Sequence, residues 1–212
     1  MNCPLCRCEN ISDFFESSYF SCGDCGLIFM DMDQHLSLEA EKKRYELHEN
    51  HVEDSSYIKY LSRLLQHLPQ GMLGEKIEGK QVLDYGCGPE KGYEYILGKR
   101  GAKVESYDPF YHKNEKYFHS IYDLILVSEA AEHFCTPKNE FEKLRPLLKK
   151  NGVLAIRTEL YNDSVVFKTW YYRKDLSHVV FYTEKTISYL AKTYDLSVLY
   201  LKSPFVIFKA NT

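Results

Sequence analysis

A chain of 212 residues with 44% hydrophobic side chains carries enough apolar material for one medium domain and a small appendage. Its 27 Lys and Arg against 30 Asp and Glu leave a net charge of -3, which excludes a whole-chain attraction to phosphate backbones or anionic lipid. No apolar run approaches the roughly 18 residues of a membrane span, and Met1-Asn2-Cys3-Pro4 lacks the basic and apolar regions of a secretory signal, so a cytoplasmic chain with reduced thiols is expected.

Residues 1–30 hold Cys3-Pro4-Leu5-Cys6 and Cys22-Gly23-Asp24-Cys25 and little periodic apolar pattern, so this segment needs a staple. Two C-x-x-C knuckles flanking a short loop predict one zinc held in a tetrahedron by Cys3, Cys6, Cys22 and Cys25, against the alternative of unligated buried thiols. With four thiolates bound there is no open position for water, so the metal is expected to be structural. Cys8 is a substitute ligand. Arg7 is the only basic side chain here beside Glu9, Asp13, Glu16 and Asp24, so the ribbon is read as a wall, lid or protein-contact surface and nucleic acid is not an expected partner.

Residues 31–75 read as a helical linker or cap. The stretch 36–43 is charged and helix-permissive, and Asp54 precedes Tyr57, Tyr60, Leu61, Leu64, Leu65 and Leu68 at helical spacing, as an N-cap would. From 76 to 212 short apolar runs alternate with helical patterns, which predicts parallel strands joined by crossover helices. Val82-Leu83 leads into a glycine loop; 93–100 is helical; 102–107 is a strand ending at Asp108; 122–127 is apolar enough to be covered on both faces. Thr136-Pro137 opens a helix with Phe141, Leu144, Leu147 and Leu148 and a stop at Asn151-Gly152. A strand over 153–158 follows, then an aromatic and charged segment over 167–182, then a helix over 183–193. The runs 196–201 and 205–208 are too close for a parallel crossover and must form an antiparallel hairpin. The fold class is therefore α/β, with a Rossmann-like, doubly wound, mostly parallel sheet, a C-terminal antiparallel hairpin and a small N-terminal zinc ribbon.

Gly86 and Gly88 allow backbone to approach a ligand at the strand-to-helix turn. The dinucleotide pattern G-x-G-x-x-G fails here, because Lys91 occupies the third position and Gly92 falls one place late. A carboxylate at Asp84 disfavours pyrophosphate and suits a ligand with an ammonium group. Asp108, at the end of the next strand, stands where an acidic side chain accepts hydrogen bonds from ribose hydroxyls, or where an ordinary turn begins before Pro109.

Val82-Leu83-Asp84-Tyr85-Gly86-Cys87-Gly88, Tyr107-Asp108-Pro109 and Tyr122-Asp123-Leu124-Ile125 resemble class I S-adenosylmethionine-dependent methyltransferases from 81 to the C-terminus. The resemblance implies S-adenosylmethionine as cofactor. Gly86 and Gly88 would approach its methionine moiety, Asp84 would order the loop and its amino group, and Asp108 would hold the ribose. The short link from Asp108 to Tyr122 departs from the family by leaving little room for a third strand and helix, so no adenine contacts are assigned.

Ser128-Glu129-Ala130-Ala131-Glu132-His133 follows the apolar strand where such enzymes place residues beside the methyl group. Candidate catalytic groups are His178, Glu129 and His133, with Glu129 read first as a hydrogen-bond partner of the cofactor or loop and Glu132 as either a pocket or a solvated residue. The segment 170–182 resembles the insertion of small-molecule methyltransferases that carries a histidine and an aromatic pair; in it Arg173 is open to pairing with an acceptor anion or with Asp175. The stretch 44–50 resembles the tyrosine-and-histidine segment between ribbon and catalytic domain in related enzymes, where Tyr45 and His48 would close over the cofactor, against the alternative of an ordinary helical surface. The expected activity is methyl transfer to a small molecule such as a sugar nucleotide or a phenolic or quinol-like compound. RNA or protein methylation with the ribbon as dock, and cofactor binding without turnover, are the alternatives. The sequence assigns no oligomeric state.

Overall fold

The computed structural model describes residues 1–46, 51–72 and 77–212. From the N-terminus come β1 (Ile11–Phe15), β2 (Tyr19–Cys22), β3 (Ile28–Met30), α1 (Leu38–Tyr45) and α2 (Ser55–Leu65). There follow β4 (Gln81–Tyr85), α3 (Gly92–Gly98), β5 (Lys103–Tyr107), β6 (Tyr122–Ser128), α4 (Pro137–Leu144) and β7 (Leu148–Arg157). The chain ends with β8 (Val180–Phe181), α5 (Glu184–Thr193), β9 (Leu196–Lys202) and β10 (Phe205–Ala210).

The larger sheet runs β5-β4-β6-β7-β10-β9. Its first four strands are parallel and β10 is antiparallel to both β7 and β9, so the closing hairpin inserts its second strand beside the parallel set. Strand alternation then divides the core. Val82, Leu124, Leu126, Val153, Ala155 and Ile207 share one cluster with Leu61, Leu64 and Leu65 of α2 and Ile96 and Leu97 of α3. Leu83, Ile125, Val127, Leu154, Ile156, Val206 and Phe208 share the other with α4 and α5. Covering on both faces explains the unbroken apolar run of β6.

α2 begins as its sequence suggests, with Asp54 Oδ1 accepting from Ser56 N at 2.7 Å. α4 differs from expectation. It ends at Leu144, passes through a short 3-10 turn over Arg145–Leu147, and β7 already begins at Leu148. Pro146 has no N–H to continue the α-helical ladder, so Leu148 is in a strand and Asn151-Gly152 forms a bend within it, with Asn151 at φ 62°. Across this bend the pairing moves from Tyr122↔Leu148 to Leu124↔Val153.

Among the described residues, 109–121 contain no strand of the sheet, only a 3-10 stretch at Glu115–His119, so β5 is the sheet's edge. No described helix is long and apolar enough to cross a membrane.

The cysteine-bearing segment forms a second sheet, β1-β2-β3-β8, whose last strand comes from the far side of β7 in sequence. Ile28 pairs with Phe181 and Phe29 with Val180. Cys3, Leu5 and Leu27 are buried in the same cluster as Leu83 and Ile125, so the ribbon's apolar side is continuous with the α4–α5 face of the main core.

Candidate functional site

The C-terminal ends of β4, β5 and β6 open into a cavity of about 1480 Å³, where pockets of open α/β sheets form. β4 delivers Asp84 and the glycine turn to its floor. Gly86 has φ 82°, and a Cβ there would stand 2.5 Å from the Ala130 Cβ, so only glycine permits this approach to the loop after β6. Gly86 N and Cys87 N both donate to Tyr107 O, at 2.8 and 3.0 Å, tying the turn to the end of β5. The late glycine also has a reason: a Cβ on Gly92 would lie 2.2 Å from Leu61 Cδ1, so it is α2 that requires glycine at the start of α3, while Lys91 takes the left-handed conformation at φ 49°. If the turn holds the cofactor that the sequence resemblance implies, Gly86→Ala is expected to lower the affinity for it at least about tenfold, since the left-handed backbone alone costs about 1–2 kcal/mol. Calorimetric titration with S-adenosylmethionine would detect this, and unchanged affinity would refute it.

Asp84 is 2% exposed and its Oδ2 has no hydrogen-bond partner among the described residues. Burial pushes its carboxyl up to about 7. An acceptor held dry and incompletely satisfied at the edge of a cavity fits a ligand that brings a positively charged N–H donor. Asp108 is more committed. Its Oδ2 accepts from Gly88 N at 3.0 Å, and its Oδ1 from Phe110 N at 2.9 Å and Tyr111 N at 3.1 Å. It organises both the glycine turn and the loop after β5, and it also lines the cavity.

The opposite wall is built by the loop after β6 and the segment before β8. Glu129, at φ 52°, places Oε1 2.8 Å from Arg157 Nε. The Arg157 guanidinium lies 3.5 Å from the Tyr60 ring centre and donates to Tyr60 O at 2.8 Å. Glu129 therefore sits in the cavity wall with its charge already opposed.

Glu132 is fully buried, and neither of its carboxylate oxygens has a hydrogen-bond partner among the described residues. The hydroxyls of Thr158 and Tyr172, which bond each other at 3.1 Å, lie beside this carboxylate and favour its charged form. Burial, then the charge of Glu129, pushes Glu132 up to about 8. His133 Nδ1 lies 2.9 Å from Ser177 O, and His178 Nδ1 lies 2.7 Å from Tyr172 O. The two imidazoles meet edge to face with centroids 4.8 Å apart. Tyr45 spans the cavity, its ring 5.0 Å from His133 and 5.7 Å from Phe110. His48 lies outside the described residues.

Two readings change. Arg173 does not line the cavity; its guanidinium lies 4.6 Å from the Phe15 ring centre and 5.2 Å from that of Tyr19, joining the ribbon to the segment before β8. Asp175 pairs instead with Arg44 of α1. Most aromatics of 167–182 are core: Phe167, Trp170, Tyr172, Phe181 and Tyr182 are buried, and Tyr171 is exposed at the cavity mouth.

Residues to which the sequence assigned no part in the site are Glu41, Tyr60, read only as a helix-face residue, and Arg157. Glu41 Oε1 stands 3.9 Å from His133 Nδ1, and burial, then Asp108, pushes its carboxyl up to about 6.

The ribbon cysteines converge separately. Cys3 and Cys25 sulfurs are 3.5 Å apart and those of Cys6 and Cys22 3.4 Å, near the edge of about 3.8 Å for a tetrahedron with zinc–sulfur bonds of about 2.3 Å. Cys6 N and Cys25 N point at the sulfurs of Cys3 and Cys22, at 3.5 and 3.4 Å. This donor set fits a tetrathiolate ion. Cys8 sulfur lies 3.3 Å from those of both Cys6 and Cys22, close enough to compete for it.

No curated protein sequence matches the chain. A family model described as a methyltransferase domain matches residues 57–201. Human N-acetylserotonin methyltransferase, solved in complex with S-adenosylmethionine, superposes with a TM-score of 0.57 at 12% identity, covering 82% of this chain and 57% of the human one. An S-adenosylmethionine-dependent methyltransferase from Mesorhizobium loti gives a TM-score of 0.50 at 14% identity, covering 69% of this chain and 95% of that one. Identities this low establish shared fold, whereas the family match runs from α2 to β9 and so takes in the glycine turn, the loop after β6 and His178. The chain belongs to the class I S-adenosylmethionine-dependent methyltransferases.

Proposed function

We propose that the protein moves a methyl group from S-adenosylmethionine to a small-molecule acceptor, a sugar nucleotide or a phenolic or quinol-like compound. One observation carries this reading: the Asp84 carboxylate beneath the glycine turn, whose Oδ2 has no partner among the described residues, lines the same cavity as Glu132, His133 and His178. At about 1480 Å³ that cavity exceeds the roughly 300–1,000 Å³ of a single drug-sized ligand, leaving room for cofactor and acceptor together.

Asp84 would take the ammonium of the methionine moiety, with Gly86 and Gly88 beside it. Asp108 holds the glycine turn through Gly88 N and would meet the ribose. Tyr45 would lie over the bound pair. Bound cofactor supplies an electrophilic methyl carbon on a sulfonium. The chain's own part would be to align the acceptor with that carbon and to take the proton the acceptor loses. His178 suits that role. With Nδ1–H donated to Tyr172 O, its neutral tautomer carries the lone pair on Nε2. His133, oriented likewise by Ser177 O, stands next to it, and Glu129 fixes the loop through Arg157.

We further read Cys3, Cys6, Cys22 and Cys25 as ligands of a structural zinc, and divide the chain into ribbon (1–30), cap (31–75) and cofactor domain (76–212). Purified protein with radiolabelled cofactor and fractionated metabolites or RNA tests the reading. Label in a small-molecule fraction supports it; label only in RNA, or tight cofactor binding with no transfer, overturns it. His178→Ala is expected to lower kcat about 100-fold or more with cofactor Kd unchanged. Normal turnover on an identified acceptor would remove His178 from the mechanism.

A further inference from the structure

We propose that Glu132, His133 and His178 form a second metal site, taking a divalent ion of the zinc type and presenting its open coordination position to the acceptor. The metal site stands on the geometry of these three side chains; only its use toward an acceptor rests on the function proposed above.

One ligand atom from each of the three lies within 4.8 Å of the other two. Metal bonds of about 2.0–2.2 Å place neighbouring donors roughly 3–3.5 Å apart, so side-chain shifts of about 1 Å close the set around an ion. Glu132 and His133 come from the 3-10 turn after β6, and His178 from the segment before β8. They are held in register because Val179 N donates to Glu132 O at 2.9 Å.

Glu132 is the independent sign that something is missing. A fully buried carboxylate with neither oxygen hydrogen-bonded among the described residues is expensive, and an ion is one of the few ways to satisfy it. A proton relay between Glu132 and an imidazole is the natural rival. It requires a hydrogen bond from ring to carboxylate, and among the described residues no such bond reaches either oxygen of Glu132.

The histidines carry the outer hydrogen bonds that metal-binding imidazoles use. Each has Nδ1 on a backbone carbonyl, Ser177 O for His133 and Tyr172 O for His178, which directs the lone pair of the neutral ring to Nε2. Two imidazoles and one carboxylate match the ligand set of open, catalytic zinc sites, in contrast to the closed tetrathiolate of the ribbon. Nearby charges favour a cation: Glu41 is 3.9 Å from His133 Nδ1, while Arg157 and Arg44 are drawn to Glu129 and Asp175. An acceptor hydroxyl or phenol bound at the open position would ionise more readily, so with the ion in place this ionisation replaces proton transfer to His178, whose Nε2 lone pair is then on the metal. The acceptor class is therefore narrowed to oxygen nucleophiles.

The test is metal stoichiometry on the full chain, by equilibrium dialysis against zinc followed by elemental analysis, without cofactor or acceptor. The parent chain is expected to hold two zinc ions. Glu132→Gln and His178→Ala are each expected to hold one, with at least a tenfold loss in affinity for the second and the ribbon ion retained. Glu132→Gln preserves side-chain size, and a thermal scan confirms folding; His133→Ala serves if it fails. A parent chain holding one zinc overturns the site, as does a second equivalent that survives in all of these variants. Failure of cofactor to bind, measured separately by calorimetry, would sink the proposed function and leave the metal result standing.

Discussion

Asp84→Asn is expected to make the ligand-free protein more stable at pH 8 while weakening S-adenosylmethionine binding at least tenfold. Both effects follow from one carboxyl. Its ordinary value is 3.8, and burial lifts it to about 7 in the fold. Between those pH values the folded state keeps a proton that the unfolded chain has released. A raised carboxylate therefore contributes full stability only below about pH 4, loses it as pH climbs toward 7, and is level above. The separation corresponds to at most about 4 kcal/mol, and asparagine removes the cost of holding the charge dry. The same charge is what an ammonium group needs. Losing a charge-assisted hydrogen bond costs roughly 1.5–3 kcal/mol, or about ten- to a hundredfold in affinity. In the parent chain, binding should strengthen as pH rises through about 7 and should release a proton, visible by calorimetry in buffers of different ionisation enthalpy. Parental affinity in Asp84→Asn, or pH-independent binding between pH 6 and 8, would contradict the placement of the ammonium at Asp84.

The features that the sequence made legible are those whose signal is local. The apolar run of β6, the glycine turn after β4 and the Asp54 cap each depend on neighbours within a few positions, and the structure has all three. Gly92 was visible as an anomaly in spacing, but its cause, contact with Leu61, lies on α2 and could not be read from the turn itself. Glu132 was harder. It sits in a three-residue 3-10 turn at Ala131–His133, too short for periodicity to say which way a side chain faces, and what surrounds it arrives from Tyr172 and His178. Glu41 belongs to a charged helix with no buried residue, so nothing marked one of its carboxylates as turning inward. Arg173 was misread for a similar reason: the rings it covers, Phe15 and Tyr19, are about 150 positions earlier and reach it only through the ribbon sheet.

That sheet carries the other large prediction. β8 is two residues long, too brief to announce itself, yet it joins the ribbon to the cavity wall. Val180 and Phe181 pair with Phe29 and Ile28, Met30 N donates to Val179 O at 2.8 Å, and Val179 N donates to Glu132 O at 2.9 Å. His178 is the next residue back. If zinc holds the Cys3, Cys6, Cys22 and Cys25 knuckles, it also holds the backbone that aims His178. The ribbon is too small to fold on its own apolar content, and structural zinc supplies about 10–16 kcal/mol of apparent binding energy to such modules. Cys22→Ser, which removes one of the four thiolates, is accordingly expected to lose the ribbon ion, lower the Tm by about 10 °C or more, and reduce turnover at least tenfold. Cofactor affinity should fall far less, because Asp84, Gly86 and Asp108 hang from β4 and β5 on the main sheet. Cys135→Ser, an exposed thiol outside the knuckles, is the control and should leave zinc content and Tm unchanged. A Cys22→Ser protein that lacks the ribbon ion but turns over normally would show that the ribbon does not position His178.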